Sequence, residues 1–326
     1  MITAGTTALP PLSAARRVTG VTVALASGVA VAVQSRINGA LGVRLGDGIA
    51  TAVISFGVGL VLLLVLVPAL PAGRRGVLTL RRALVSGALR PWQCLGGMCG
   101  AFLVVTQGVT VGTLGVAVFT VAVVAGQSGS SLAVDRAGIG PAGRQPVTGS
   151  RLAGAALTVV AVLLAVGDRL GEPGTLGLAV LPLLAGVAIA WQQAVNGRVR
   201  AAAGSALTAT LVNFTVGTLA LLVAFAVDLA IRGRPPGSLP PEFWYYLGGP
   251  IGVVFIAVAA AIVRFTGVLL LGLATIAGQI VGAVLLDVVL PTEASRPGPT
   301  TLLGAALTLM AVAIAALGPR HRWIRR

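Results

Sequence analysis

The chain has 326 residues, 56% of them hydrophobic and 10% charged, with a formal net charge of +15 and a mean hydropathy of +1.00. Soluble domains carry roughly 25% charged residues, so too few are present here to cover a globule with water-facing side chains, whereas a lipid-facing surface requires none. The composition excludes an ordinary soluble enzyme and reads as an all-α integral membrane protein.

Apolar runs predict ten spans in chain order, at about 18–36, 48–70, 92–111, 113–134, 151–168, 174–195, 205–230, 243–263, 267–290 and 300–318. Ten spans of about 20 residues leave only short connections, so residues 1–326 read as one transmembrane domain. Arg16 and Arg17 ahead of the first run also fit a signal peptide. Gln34 and Asn38 within that run recur later in the chain, which favours a retained span. All 23 basic residues are arginines. Alternating the spans places 17 on one side: Arg16, Arg17, Arg74, Arg75, Arg81, Arg82, Arg90, Arg136, Arg144, Arg151, Arg198, Arg200, Arg264 and four in the tail. The positive-inside rule then puts both termini in the cytoplasm of a multi-pass cytoplasmic-membrane protein. The surplus charge faces anionic lipid headgroups. The arginines are dispersed among apolar spans without interleaved aromatics, which argues against a nucleic-acid partner.

The two halves repeat. Gln34, Asn38, Gly39, Gly46, Phe56 and Gly59 recur as Gln192, Asn196, Gly197, Gly204, Phe214 and Gly217 at an offset of 158. Trp92, Gly96, Gly97, Gly100, Gly115, Gly126, Gln127 and Asp135 recur as Trp244, Gly248, Gly249, Gly252, Gly267, Gly278, Gln279 and Asp287 at an offset of 152. The string GAALT at Gly154 returns at Gly304, offset 150. Residues 18–168 and 174–318 are thus expected to be two five-span repeats. An odd span count makes them inverted about an axis in the membrane plane, an arrangement found in transporters with a midplane site between the repeats.

Several chemistries lack their parts. Without lysine there is no Walker phosphate loop and no Schiff base. The single histidine, His321, stands in the basic tail, so His-ligated metals, haem and Ser-His catalysis are not expected. Cys94 and Cys99 stand alone in an apolar segment and read as packing residues. No catalytic residue, metal or cofactor is expected.

The segments QSRINGALG, AVISFGVGL, PWQCLGGMCGAF, VAGQSGSSLAVDRAGI and RLAGAALTVVAVLLAVG resemble the blocks of YdcZ-type inner-membrane exporters, a branch of the drug/metabolite transporter superfamily related to EamA-like proteins. The resemblance runs from about residue 20 to 318. It implies a ten-helix bundle, with spans one to four and six to nine around a central cavity and spans five and ten peripheral. It supplies no substrate.

Polar side chains within apolar helices face the bundle interior, where they bind a ligand or join helices. Gln34 and Asn38 share one helical face, and Gln192 and Asn196 reproduce it in the other half. Gln127 and Gln279 lie deeper, in spans four and nine, and are expected to line a cavity. These six amides are the candidate substrate-binding residues, suited to a neutral, zwitterionic or polar organic solute. Asp135 and Asp287, near helix ends where water reaches, are candidates for ion coupling, with an ordinary interfacial acid as the plainer reading. Gln107 and Asn213 are matched in the repeat by Ala259 and Ser55, and such asymmetry is a place for substrate preference. Asp47 and Ser205 are expected to cap helices, Gly112 to sit in an external turn, and Pro250 to bend span eight. The favoured function is a secondary transporter or exporter of a small organic solute, monomeric or homodimeric. The alternative is a non-transporting accessory or receptor protein.

Overall fold

The computed structural model describes residues 14–141, 143–144, 146–167, 175–291 and 296–316. His321 and the tail arginines lie outside the described residues, as do the side chains of Arg16, Arg17 and Arg264. Among the described residues the chain forms nine α-helices: α1 (Ala14–Leu45), α2 (Gly48–Ala69), α3 (Pro71–Val85), α4 (Gly96–Ala137), α5 (Gly149–Gly167), α6 (Thr175–Ala203), α7 (Ala206–Arg232), α8 (Gly248–Val289) and α9 (Pro299–Ala316). Short 3-10 turns at Pro91–Cys94 and Phe243–Tyr246 lead into α4 and α8. Six described segments are long and apolar enough to cross a membrane, and Gly149–Ala165 and Pro299–Ile314 are shorter apolar helices. Large apolar side chains project outward from them, among them Val61, Val65, Leu163, Leu219 and Val223. In water such a surface would cost free energy; against lipid tails it does not. The molecule is an all-helical membrane bundle.

Local sequence sets the ends of the helices. At 42 residues, α4 would be about 63 Å long if continuous, twice the roughly 30 Å hydrocarbon core. It breaks at Gly115, where φ is 80° and ψ is 163°, a conformation that glycine tolerates and a Cβ opposes. The expected turn at Gly112 therefore falls three residues later, and Gly112 instead packs closely on Val43. The first and sixth helices run past their expected ends, to Leu45 and Ala203. Each stops at a glycine with φ 64°, Gly46 and Gly204. Asp47 then accepts from the amides of Ile49 (2.7 Å) and Ala50 (2.9 Å), and Ser205 from that of Thr208 (3.3 Å). Both expected caps are in place.

Two connections differ from the sequence reading. The arginine-rich stretch after the second span is a helix, α3, opened by Pro71. It buries Gly73, Gly76 and Leu80, and Thr208 donates to the carbonyl of Gly73 (3.4 Å). Pro250 stands in the first turn of α8, where its missing N–H leaves no intrahelical bond unmade, so it does not bend the helix.

Packing joins the two halves of the chain. The most extensive helix pairings are α4 with α6 and α1 with α8. They rest on matched glycines: Gly28 and Gly278 bring α1 and α8 into backbone contact, and Gly186 and Gly126 do the same for α6 and α4. A Cβ at any of the four would overlap a carbonyl of the partner helix. Gly97 meets Asn213 and Gly217 of α7, and Gly249 meets Ser55 and Gly59 of α2. Small residues at these crossings let the helix backbones approach closely.

Candidate functional site

At the centre, Phe56 of α2 and Phe214 of α7 meet with ring centroids 4.8 Å apart and planes tilted by 32°. They are equivalent positions of the sequence repeat. Each ring rests on the glycine that follows the other, Phe56 on Gly217 and Phe214 on Gly59. Gln34 lies over Gly252 beside Phe214, and Gln192 lies over Gly100 beside Phe56. The two central glutamines of the candidate set therefore stand beside the ring pair with matching neighbours.

The candidate asparagines build an amide network on each side. In one half, Asn38 Nδ2 donates to Gln107 Oε1 (2.7 Å) and Gln107 Nε2 donates to Ser35 Oγ (3.0 Å). In the other, Gln192 Nε2 and Asn196 Nδ2 both donate to Asn213 Oδ1, each at 3.0 Å. Gln107 and Asn213, whose repeat positions hold Ala259 and Ser55, thus do the same job from different helices. Asn38 Oδ1 and Gln192 Oε1 have no hydrogen-bond partner among the described residues. Asn38 Oδ1 packs against Gly248, and the Gln192 amide against Gly100, where no Cβ intervenes. Asn38 is completely buried.

Gln127 is half-buried and donates to Gln193 Oε1 of α6 (3.1 Å). The half-buried Gln279 has its backbone amide against Gly28. Neither side chain is brought to the central pair. A cavity of about 100 Å³ lies nearby, between the second halves of α4 and α9 and the facing parts of α5 and α8. Its polar lining is Ser128, Ser131, Arg151 and Thr158, and Leu273 and Ile276 wall the opposite side. That volume corresponds to roughly three waters, and the six candidate amides are not among its lining residues. Sequence reading missed these hydroxyls because serine and threonine in an apolar helix carry no distinctive spacing. Their repeat counterparts, Ile280 and Ala283 for the two serines, are apolar.

The two candidate aspartates stand in different surroundings. Asp135 pairs with Arg151 and is one-third exposed. Asp287, expected to be reached by water, is only 2% exposed. It accepts from the backbone amides of Val116 (3.1 Å) and Ala117 (2.7 Å), the first two residues after the Gly115 break. Arg36 Nη1 lies 4.0 Å from it, and Arg36 Nη2 donates to Leu290 O at the end of α8 (2.6 Å). Arg198 does the equivalent at the end of α4, donating to the carbonyls of Ile139 and Gly138. A cation over terminal carbonyls is a favourable C-terminal cap.

Residues 19–164 and 177–314 match the model of the family described as "Putative inner membrane exporter, YdcZ". The chain belongs to this family. The match comes in two segments and covers most of the chain. The protein is accordingly a multi-pass inner-membrane protein of an exporter family, which marks it as a transporter type and not an enzyme. No curated protein matches. A solved structure titled "Crystal structure of protein" aligns over 92% of this chain and 99% of its own, at 18% identity and a TM-score of 0.49.

Proposed function

We propose that this protein is a secondary transporter that exports a small polar organic solute, built as two inverted five-helix repeats, residues 18–168 and 174–318, that rock about the Phe56–Phe214 contact. Both termini and α3 lie on the cytoplasmic side in this reading. One observation carries it. The cavity between the second half of α4 and helices α5, α8 and α9 has a pseudo-equivalent region across the axis, and that region is filled. Ser128, Ser131, Thr158, Leu273, Ile276 and Ala311 line the cavity, and by offset their counterparts are Ile280, Ala283, Thr308, Val121, Val124 and Ala161. None of those counterparts is more than 1% exposed. Two repeat-equivalent regions, one open and one packed, fit an alternating-access transporter that faces one side. Here the open end is the one next to Arg151 and Arg136, the cytoplasmic end by arginine count.

The polar lining selects the solute. Serine and threonine hydroxyls donate and accept, and the charge of Arg151 is balanced by Asp135. A neutral or zwitterionic solute with a short apolar portion fits this surface. Gln34 and Gln192 beside the central rings are where it would be held at midplane, with Asn38 and Asn196 fixing those helices and Gln127 and Gln279 bordering the route. The test is uptake by purified protein in liposomes, with a panel of amino acids, amines, sugars and nucleosides. Thr158→Trp, which fills the cavity, is expected to reduce uptake of the active solute to background, as is Gln127→Leu combined with Gln279→Leu. Uptake by Thr158→Trp equal to wild type would remove the cavity from the route.

A further inference from the structure

We infer that Gln34 and Ser55 form a receptor for a neutral carboxamide-like group of the solute, and that the side chain of Asn213 shows in the other half of the chain what fills it. This role rests on the reading that a solute is held beside Gln34, and it names the part of the solute held there. In the second half, Gln192 lies over Gly100 and Asn196 over Gly96 of α4, two glycines one turn apart and so about 6 Å from each other along the helix. Asn213 spans that gap, its Oδ1 accepting from Gln192 Nε2 and from Asn196 Nδ2, each at 3.0 Å. The first half repeats the scaffold. Gln34 lies over Gly252 and Asn38 over Gly248 of α8, and the carbonyl of Ser55 meets Gly249 as that of Asn213 meets Gly97. In place of the Asn213 carboxamide stands the hydroxyl of Ser55, next to Asn38 over Gly248.

A serine is two heavy atoms shorter than an asparagine, and the turn is left unspanned. Gln107 reaches in from α4, but its Oε1 accepts from Asn38 (2.7 Å) and its Nε2 donates to Ser35 (3.0 Å), so Gln34 gains nothing from it. Among the described residues neither the half-buried Gln34 amide nor the Ser55 hydroxyl has a hydrogen-bond partner, and the fully buried Asn38 Oδ1 has none either. Polar groups inside folded proteins are nearly always paired, so three unpaired ones within a turn of α8 mark a place short of an occupant. A side-chain amide is best answered by a group with both an acceptor and a donor. The carbonyl of a carboxamide accepts from Gln34 Nε2 and from the Ser55 hydroxyl, while its N–H donates to Gln34 Oε1. A carboxylate has no N–H to return, and Gln34, Ser55 and Asn38 offer its charge no cation. An ammonium group has no acceptor for Gln34 Nε2. The Phe214 ring, beside Gln34 over Gly252, gives the apolar remainder of the solute a surface.

The experiment builds the missing group into the protein. Ser55→Asn copies the Asn213 arrangement into the first half, and Gln34→Leu removes the amide. Thermal unfolding of each purified protein in detergent is followed alone and with acetamide, acetate or methylammonium. Uptake in liposomes is measured for asparagine and nicotinamide, with aspartate and nicotinate as their carboxylate counterparts. Acetamide alone of the three probes is expected to raise the wild-type midpoint, and to leave both variants unmoved. Ser55→Asn without additive is expected to melt about 2 °C above wild type, and its uptake of the carboxamide solutes to fall to background. A midpoint below wild type would mean that there is no room for the group and would overturn the receptor, as would acetamide protection that survives Gln34→Leu. Preference of the wild type for the carboxylate counterparts would overturn the assigned class. A raised midpoint with wild-type uptake would make the gap a mere packing defect, ending the inference and leaving the transporter reading intact. Protection by acetamide that both variants abolish, in a protein that takes up none of the solutes, would keep the receptor and count against transport. Neither protection nor uptake would remove both.

Discussion

Asn38 and Asn196 occupy the same place in the two halves yet draw their partners from different helices, Gln107 of α4 and Asn213 of α7. Each site needs one amide acceptor near the helix crossing, and the geometry permits it to come from either neighbour. Asn213 serves two donors at once, so its removal strands the buried N–H of Gln192 and the half-buried one of Asn196. Asn213→Ala is expected to destabilise the protein by about 1–3 kcal/mol, read as a lower unfolding midpoint in detergent. In a double-mutant cycle with Gln192→Ala, the coupling is expected to be about 0.5–3 kcal/mol. Strict additivity would show that the Gln192–Asn213 bond contributes nothing. At this scale the sequence identified the polar residues but not their partners. Gln34, Asn38, Gln192 and Asn196 stood out because amides are rare in apolar spans. That Gln107 completes one cluster and Asn213 the other depends on which helices cross, and spacing along the chain does not encode crossings. The hydroxyls of the cavity left no trace in the sequence, since threonine and serine in a helix satisfy themselves on the preceding turn, as Thr158 does on Ala155 O (2.7 Å).

Among the elements, the spans were legible because apolar length and the repeat both mark them, and the caps at Asp47 and Ser205 because residue type marks them. The break of α4 was misplaced by three residues, since Gly112 and Gly115 are equally good candidates on composition. Only the contact of Gly112 with Val43 decides between them. Helix α3 was read as a connection because Pro71, Gly73, Gly76 and four arginines hide its period. The connection that holds it is longer than its counterpart, the loop from Gly233 to Glu242, and α7 is longer than α2; the two differences together set the drift in offset from 158 to 152. With Gly73, Gly76 and Leu80 buried, Leu78 and Val85 are left exposed among Arg74, Arg75, Arg81 and Arg82. An exposed apolar strip flanked by arginines suits a helix lying at the headgroup layer. Arg81→Gln with Arg82→Gln is expected to weaken the preference for phosphatidylglycerol over phosphatidylcholine by about 2 kcal/mol, at about 1 kcal/mol per arginine. The measurement is the lipid retained by the purified protein in native mass spectrometry from mixed vesicles. Equal retention by the variant would place α3 away from the headgroups.

For the whole molecule, the proposal stands on opposite orientation of two halves that share one pattern. Long-range pairing supports it: α1 packs on α8 and α6 on α4, so each half completes the other and neither has a closed core alone. Interlocking of this kind lets equivalent residues occupy unlike surroundings, as Asp135 and Asp287 do, without any change in the helices that carry them. Orientation is open to a direct test at one pair of equivalent positions. Ser86, just past α3, and Ser238, in the loop before α8, differ by 152 in number and are both exposed. In a background lacking Cys94 and Cys99, Ser86→Cys is expected to react with an impermeant thiol reagent only after cells are opened, and Ser238→Cys in intact cells. Inverted repeats require the two to differ, because equivalent points on oppositely oriented units lie on opposite faces of the membrane. Labelling of both from the same side would mean parallel repeats. A pseudo-axis along the membrane normal would then replace the in-plane one, and the open and packed regions could no longer be two ends of one transport path.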